Sequence, residues 1–349
     1  MFSSIRRFIT TDIGIDLGTA TTLVYVRGRG IVINEPSIVA INKRTGRVLA
    51  IGREAQKMVG RTPAHIVATK PLIQGVISDF EITEQMLHYF FQMVGGQKFF
   101  SFPRVVIGIP AGVTEVEKRA VEDAARNAGA REVYLIEEPM AAAIGARLPV
   151  QEATGSMVID IGGGTTEVAV ISLGGIVAAR SFKIAGDRLT EDIQHFAQEE
   201  LKILLGDRTA EDIKMSAGSA VGNGKPIEVA MRGRDLVTGL PKEIMVNDTQ
   251  LRKAMTRSLA TIMQTTRDVI EETPPELVSD IMTQGIILAG GGGLLKSIDK
   301  LITQETMMPA IIADDPVTAV VRGCGMVLEH LDELKEVLVS ADSAPIALR

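Results

Sequence analysis

Tryptophan is missing from this 349-residue chain, cysteine occurs once, and aromatic residues make up only 4% of it. With Cys324 alone, no intrachain disulfide can form. Its setting, Gly323-Cys324-Gly325 in an apolar stretch, reads as a small buried residue. No run of about 18 apolar residues occurs, so no segment reads as a membrane-spanning helix. The N-terminus also lacks the roughly 7–15-residue apolar core of a secretory signal. The chain is expected in the cytoplasm. The net charge is −6, with acids and bases interspersed. The basic bias or stripe of a duplex-binding protein is therefore lacking, which argues against nucleic acid as the main partner. His65, His88, His195 and His330 show no metal-ligand spacing and read as structural or surface residues.

What the chain does have is glycine, 34 residues of it, and enough length for two domains with separate cores. Glycine supplies the positive φ of tight strand-to-loop turns, so the composition suits an α/β protein. Ile13–Leu17 and Leu23–Val26 read as short strands around the turn Gly18-Thr19-Ala20-Thr21. Val105–Ile109 reads as a buried strand. After it, Thr114 and Glu117 form a capping box, and Val116, Ala120, Val121, Ala124 and Ala128 keep helical spacing until Gly129. Val133–Ile136 is another strand, with Pro139 at the start of the next helix. Met157–Ile161 and Val168–Ser172 form a second strand–turn–strand unit. Ile286–Ala289 ends in Gly290-Gly291-Gly292-Gly293, and Asp315 is expected to cap a helix whose first residue is Pro316. Alternating β and α segments favour a largely parallel sheet with covering helices, and the hairpins make it mixed.

An internal repeat organises these elements. Asp12-Ile-Gly-Ile-Asp16-Leu-Gly-Thr19 opens one half, and Met157-Val-Ile-Asp160-Ile-Gly-Gly-Gly-Thr165 opens the other. Each is an apolar strand, an aspartate near its end, a Gly/Thr turn and a second apolar strand. The aspartates are 160 − 16 = 144 residues apart, about one domain's length. Facing duplicates would bring both turns into one cleft.

A Gly/Thr turn exposes consecutive backbone amides, lets them approach phosphate oxygens, and adds a hydroxyl donor. An aspartate beside it suits Mg²⁺, which keeps several waters and takes one or two carboxylates plus phosphates. Each turn alone could equally be a simple hairpin; the matched pair points to phosphate binding. Other phosphate motifs fail. Lys296-Ser297 follows Leu295, and Gly224-Lys225 precedes Pro226, so neither is a P-loop. A dinucleotide fingerprint needs its glycine turn to open a helix, whereas Thr165 to Ser172 reads as a strand.

The two turns resemble the phosphate-1 and phosphate-2 loops of the actin, heat-shock chaperone and sugar-kinase superfamily, and Ala289–Gly293 resembles its adenosine motif. Within that superfamily, several blocks are similar to the MreB family of bacterial actin-like proteins. They are Asn34-Glu-Pro-Ser37, Glu137-Glu138-Pro139-Met140-Ala141-Ala142-Ala143, Asp160–Val170, Pro274–Asp280 and Pro316-Val-Thr-Ala319. The likeness runs from about Phe2 to Glu329, and Ser219–Lys242 is the least family-like stretch.

The resemblance implies a duplicated actin-like, ribonuclease H-like α/β fold with two domains of mixed sheets facing a nucleotide cleft. Domain I would span 12–145, completed by a C-terminal helix in 316–340, and domain II 146–315. Asp16 and Asp160 would hold Mg²⁺ through water. Gly18, Thr19, Ala20 and Thr21 would cradle ATP phosphates from one side, and Gly162, Gly163, Gly164 and Thr165 from the other. Glu138 would orient or activate the attacking water, with Thr165 helping. For Glu138 the plain alternative is a carboxylate at a helix N-terminus, stabilised by the dipole. Gly186, Asp187, Glu211, Lys214 and Gly290 to Gly293 complete the implied nucleotide contacts; Glu211 and Lys214 could otherwise be an exposed i,i+3 ion pair. The implied function is a slow ATPase that polymerises into membrane-associated filaments and organises cell-wall synthesis to set rod shape, with MreC, MreD and RodZ as partners. A chaperone ATPase would carry a long C-terminal substrate region, and a sugar kinase an acceptor pocket with its own aspartate base. Neither feature is evident here.

Two segments read as membrane contacts on the inner face of the cytoplasmic membrane. On a helical wheel Met1, Phe2, Ile5, Phe8 and Ile9 fall on one side, and Ser3, Ser4, Arg6 and Arg7 on the other, the composition of an interfacial anchor. Phe99 and Phe100, with Phe102 nearby, read as a loop tip after Gly95-Gly96. The plain alternative for both is packing on the protein itself.

Overall fold

The computed structural model describes residues 12–95, 103–222, 224 and 226–339. Phe2, Ile5, Phe8, Ile9, Phe99 and Phe100, with the expected membrane segment 1–11, lie outside the described residues. Two compact units divide the chain. One takes the chain up to Ala153, Ile171–Ile176 and the part from Thr318 onward; the other takes Thr154–Val170 and Val177–Val317.

The first unit is built on a five-stranded sheet in the order Glu132–Glu137, Arg104–Ile109, Asp12–Leu17, Thr21–Val26, Gly30–Pro36. The first three strands are parallel and the last three antiparallel. Ile13, Ile15 and Leu17 share a core with Met86, Leu87 and Phe90 of helix Phe80–Gly95 and Ala124 and Ala125 of helix Glu115–Asn127. Alternate residues of the central strand meet helix Ala319–Glu329 instead: a Cβ on Gly14 would lie 3.0 Å from that of Cys324. Both faces are covered, which is why the strand is apolar almost throughout. Cys324 is fully buried, as its setting suggested.

The capping box at Thr114 and Glu117 forms as expected. Val116 does not join the core, however, and is 79% exposed. The buried stripe of that helix is Val121, Ala124 and Ala125. At 3.6 residues per turn Val116 sits about 140° round from Val121, so its apolar character alone misplaced it. The late helix also starts later than expected. Pro316 opens a 3-10 turn, Pro316–Thr318, and the α-helix begins at Ala319 with Thr318 at the N-cap position. Asp315 has φ +48°, a left-handed conformation from which an α-helix cannot run straight on.

The second unit has a five-stranded sheet in the order Gly175–Phe182, Thr166–Ser172, Ser156–Ile161, Ile286–Ala289, Ala310–Ile312. The last three are parallel. Read outward from the aspartate-bearing strand, this is the order of the first sheet again. The repeat seen in two motifs therefore extends to the whole sheet. Gly162–Thr165 opens the strand Thr166–Ser172, every residue of it buried, and not the helix that a dinucleotide fingerprint requires.

Candidate functional site

In the first unit Asp16 is the fifth residue of strand Asp12–Leu17, in register with Gly108 of the parallel neighbour. The turn that follows needs glycine at its head: a Cβ on Gly18 would come within 2.7 Å of the Thr21 carbonyl oxygen. One buried residue holds the turn's carbonyls. Ser37 donates its hydroxyl to Gly18 O (2.6 Å) and its amide to Ala20 O (3.0 Å), and its Oγ lies 2.8 Å from Thr22 Oγ1. Thr19 Oγ1 accepts from the Gly75 amide at 2.8 Å. With the Gly18 and Ala20 carbonyls taken, the turn still has N–H groups from which a phosphate oxygen can accept.

Glu138 is the first residue of helix Glu138–Gly145, buried, with Pro139 behind it where a missing amide costs nothing. A Cβ on Gly108 would lie 3.0 Å from Val320 Cγ1 and 3.4 Å from Glu138 Cγ, so the residue beside Asp16 is packed against both. Asp16 and Glu138 share an environment. Burial pushes the Cys324 thiol far up, and both carboxylates push it further. The helix is fixed from behind by close packing on Ala319–Glu329, since a Cβ on Gly145 would strike Ala319 O and one on Gly323 would strike Ala141 O. Burial also pushes the neighbouring Glu137 above the ordinary carboxylate range.

The second unit repeats the strand and turn with other supports. Asp160 is again the fifth residue of its strand, in register with Ala289, and is only 6% exposed. Burial raises its carboxyl to about 7. The Gly162 amide donates to Thr165 O at 2.9 Å and closes the turn. The first amides of helix Gly186–Glu199 take two more carbonyls, Gly186 N to Gly162 O (3.1 Å) and Asp187 N to Gly163 O (2.8 Å). Lys214, from helix Asp207–Ala217, donates to Gly186 O (2.7 Å), Thr190 Oγ1 (3.0 Å) and Glu211 Oε2 (2.7 Å). Gly290, at φ +76°, closes on Asp160, for a Cβ there would strike Asp160 Oδ1; a Cβ on Gly292 would strike Ile161.

Within each unit, then, the residues singled out in sequence come together: Asp16, Gly18 to Thr21 and Glu138 in one, and Asp160, Gly162 to Thr165, Gly186, Asp187, Glu211, Lys214 and Gly290 to Gly293 in the other. Glu211 and Lys214 are not a freely exposed pair, since Lys214 is buried and braced on Gly186. Sequence reading missed Ser37, Gly75, Gly108 and Thr190. Ser37 stood in a quoted block, but only strand register shows that it reaches Gly18. Topology adds one more correspondence. At or just past the end of the outermost parallel strand of each sheet stands a pair of acids and a proline, Glu137-Glu138-Pro139 in one and Asp314-Asp315-Pro316 in the other.

The residues fit Mg²⁺ with a nucleotide. A carboxylate as buried as Asp160 is costly bare and would be relieved by a cation. Among the described residues no three His, Cys, Asp or Glu side chains converge as a metal site, so phosphates and water would supply most ligands, as Mg²⁺ prefers.

The MreB/Mbl protein family model matches residues 10–336. The chain is 48% identical over 323 residues to the cell shape-determining protein Mbl of Bacillus subtilis (strain 168), covering 93% of this chain and 97% of that protein. It is 49% identical over 337 residues to the cell shape-determining protein MreB of Escherichia coli (strain K12), covering 95% and 97%. Among solved structures, MreB5 of Spiroplasma citri bound to ADP superposes with a TM-score of 0.89 at 38% identity, over 94% of this chain and 98% of that one. The MamK double helical filament superposes with a TM-score of 0.78 at 20% identity, over 92% and 99%, a likeness of fold alone. The fold is actin-like, and the chain belongs to the MreB/Mbl family.

Proposed function

We propose that this chain binds Mg·ATP, hydrolyses it slowly and polymerises into filaments on the inner face of the cytoplasmic membrane, organising wall synthesis and so setting cell shape. The observation that carries the reading is the duplicated aspartate–turn unit in which neighbouring groups consume the turn carbonyls, Ser37 in one and Gly186 and Asp187 in the other. Family membership supports it, as does a Spiroplasma citri relative solved with ADP and with AMPPNP. The domains proposed are 12–145 with a helix from 316–340, and 146–315. Both loops would serve one Mg·ATP. Asp16 and Asp160 would hold the hydrated metal, which when bound neutralises phosphate charge. Glu138 would orient the attacking water with help from Thr165. Gly290 to Gly293, with Glu211, would border the adenosine. Phosphoryl transfer asks mainly for positioning and charge neutralisation, so one acid beside a metal suffices.

Self-association would be head-to-tail, the contact that yields open filaments. Phe2, Ile5, Phe8, Ile9, Phe99 and Phe100 would reach lipid, each anchor weak and multiplied along the polymer. MreC, MreD and RodZ are the partner proteins proposed on family grounds. Electron microscopy of the purified chain with ATP on anionic liposomes tests the reading. Membrane-bound filaments are expected, and a monodisperse chain under every nucleotide and lipid condition would overturn it.

A further inference from the structure

We propose that the hairpin tip Arg27-Gly28-Arg29-Gly30 of the first unit is a binding site for the headgroup phosphates of anionic phospholipids. The proposal rests on the reading of residues 1–11 and 96–102 as membrane contacts and adds to it a site among the described residues. Both stretches join the described chain at one end of the first sheet. Asp12 opens the central strand and lies in register with Arg104, which opens the parallel neighbour just after Pro103. The tip between strands Thr21–Val26 and Gly30–Pro36 closes on the same end. There the Arg27 amide donates to Asp12 O at 3.1 Å. Arg29 Nη1 donates to Val94 O at 3.2 Å, one residue before helix Phe80–Gly95 ends.

The chain as a whole has a net charge of −6, so an anionic surface repels it unless a local excess of cations faces that surface. This end of the sheet supplies one. The guanidinium groups of Arg27, Arg29, Arg104 and Arg131 stand here with the carboxylates of Asp12 and Glu132. Arg104 takes both oxygens of the buried Asp12, at 3.0 and 2.6 Å, and Arg131 pairs with Glu132 at 3.1 Å. Arg27 reaches Asp12 through one nitrogen at 3.2 Å, and its side chain stays 42% exposed. The contact of Arg29 is a neutral carbonyl, which cancels no charge. The excess therefore sits at the tip. Gly28 and Gly30, at φ +75° and +74°, have nothing within 4 Å of where a Cβ would stand, so the tip is open to a headgroup. A guanidinium offers a planar fork of N–H donors that matches phosphate, and neither tip arginine uses all of its own in the bonds above. Ile31, two residues on, and Met93, next to Val94, are exposed. Apolar side chains beside cations are the composition of an interfacial surface.

The test is a titration of the full chain with ATP against two kinds of vesicle, phosphatidylcholine alone and phosphatidylcholine mixed with phosphatidylglycerol. The tip variant is Arg27→Gln/Arg29→Gln. Arg44→Gln/Arg47→Gln, at the exposed turn between strands Val39–Asn42 and Val48–Ile51, changes the net charge equally at another place. At low salt the tip variant should bind the mixed vesicles about tenfold more weakly than the parent, and the control variant less than about twofold more weakly. Neutral vesicles should not distinguish the tip variant from the parent. Equal losses in the two variants, or no loss at the tip, overturn the proposal. If thermal melting shows that the tip variant does not fold, Arg29→Gln alone is read in its place, with a loss of about threefold expected and unchanged binding overturning the site. Release of the parent by inorganic phosphate at constant ionic strength would make the tip a site for free phosphate and overturn the lipid assignment. A parent chain that ignores the mixed vesicles altogether overturns the membrane reading itself, and the proposal with it.

Discussion

The two aspartate–turn units have the same strand order and the same position for the acid, yet they are braced by different chemistry. In the first, a neutral hydroxyl and amide of one residue, Ser37, hold the Gly18 and Ala20 carbonyls. In the second, a helix N-terminus holds Gly162 and Gly163, and a buried ammonium stands behind it. The acids differ likewise: Asp160 is buried, Asp16 only partly. The two copies have also diverged at the acid–acid–proline step. In the first unit it opens an α-helix at Glu138; in the second it enters a 3-10 turn. Duplication supplied the frame twice, and the chemistry sorted itself between the copies. The first unit buries a carboxylate, Glu138, at a helix start, and the second buries Asp160 and Lys214.

That division makes the variants of the two units unequal. The largest effect is expected from Glu138→Ala, which should lower the ATP hydrolysis rate by about 100-fold or more while nucleotide affinity stays within a few-fold. Single-turnover assays beside equilibrium binding measure both, and parent-rate hydrolysis would remove Glu138 from the chemistry. Next come the turn glycines. Gly18→Ala drives a Cβ to 2.7 Å from a backbone oxygen, whereas Gly162→Ala meets Thr165 O at 3.1 Å. ATP affinity should therefore fall further for Gly18→Ala than for Gly162→Ala, and the reverse order in a binding titration would contradict the geometry.

Asp160 gives a pH signature. Its folded-state pKa of about 7 lies above the ordinary 3.8. Well below pH 3.8 the group is protonated in both states and costs nothing. As pH rises toward 7 the unfolded chain ionises first, and the ligand-free fold loses on the order of 4 kcal/mol. Relative to the parent, Asp160→Asn should gain stability across that window in denaturant titrations without nucleotide. A difference independent of pH would mean that burial does not control the group. Ser37→Ala removes one buried hydroxyl donor and should cost about 1–3 kcal/mol of stability, with a parallel loss of ATP affinity. Unchanged ATP affinity would show that the first turn does not depend on its brace. The smallest effect belongs to residues outside either unit's turn. Deleting residues 2–9 should reduce co-sedimentation with anionic liposomes, and the loss should be larger at low salt than at high salt to the extent that Arg6 and Arg7 contribute beside the burial of Phe and Ile. ATP binding should be spared.

Much of this was legible from the chain. The paired aspartates, the glycine turns, the capping box at Thr114 and the buried Cys324 follow from local patterns, and the sheets formed around them. The rest depends on what lies next to what in space. That Ser37 reaches Gly18 depends on the pairing of a third strand. That Gly108 lies beside Asp16 and near Glu138 depends on parallel register. For Glu211 and Lys214 an exposed ion pair stayed open beside the implied nucleotide contact, because i,i+3 spacing does not reveal what lies behind a helix. Val116 shows the opposite error, an apolar residue on the solvent side of an otherwise regular stripe.

An experimental structure of the chain with Mg·AMPPNP, at a resolution that fixes each phosphate oxygen, tests the duplicated-loop claim most directly. The expected result is phosphate oxygens accepting from backbone amides of both Gly18–Thr21 and Gly162–Thr165, with Asp16 and Asp160 reaching the metal through water. Phosphates held by one turn alone, with the other turned to some different group, would contradict it.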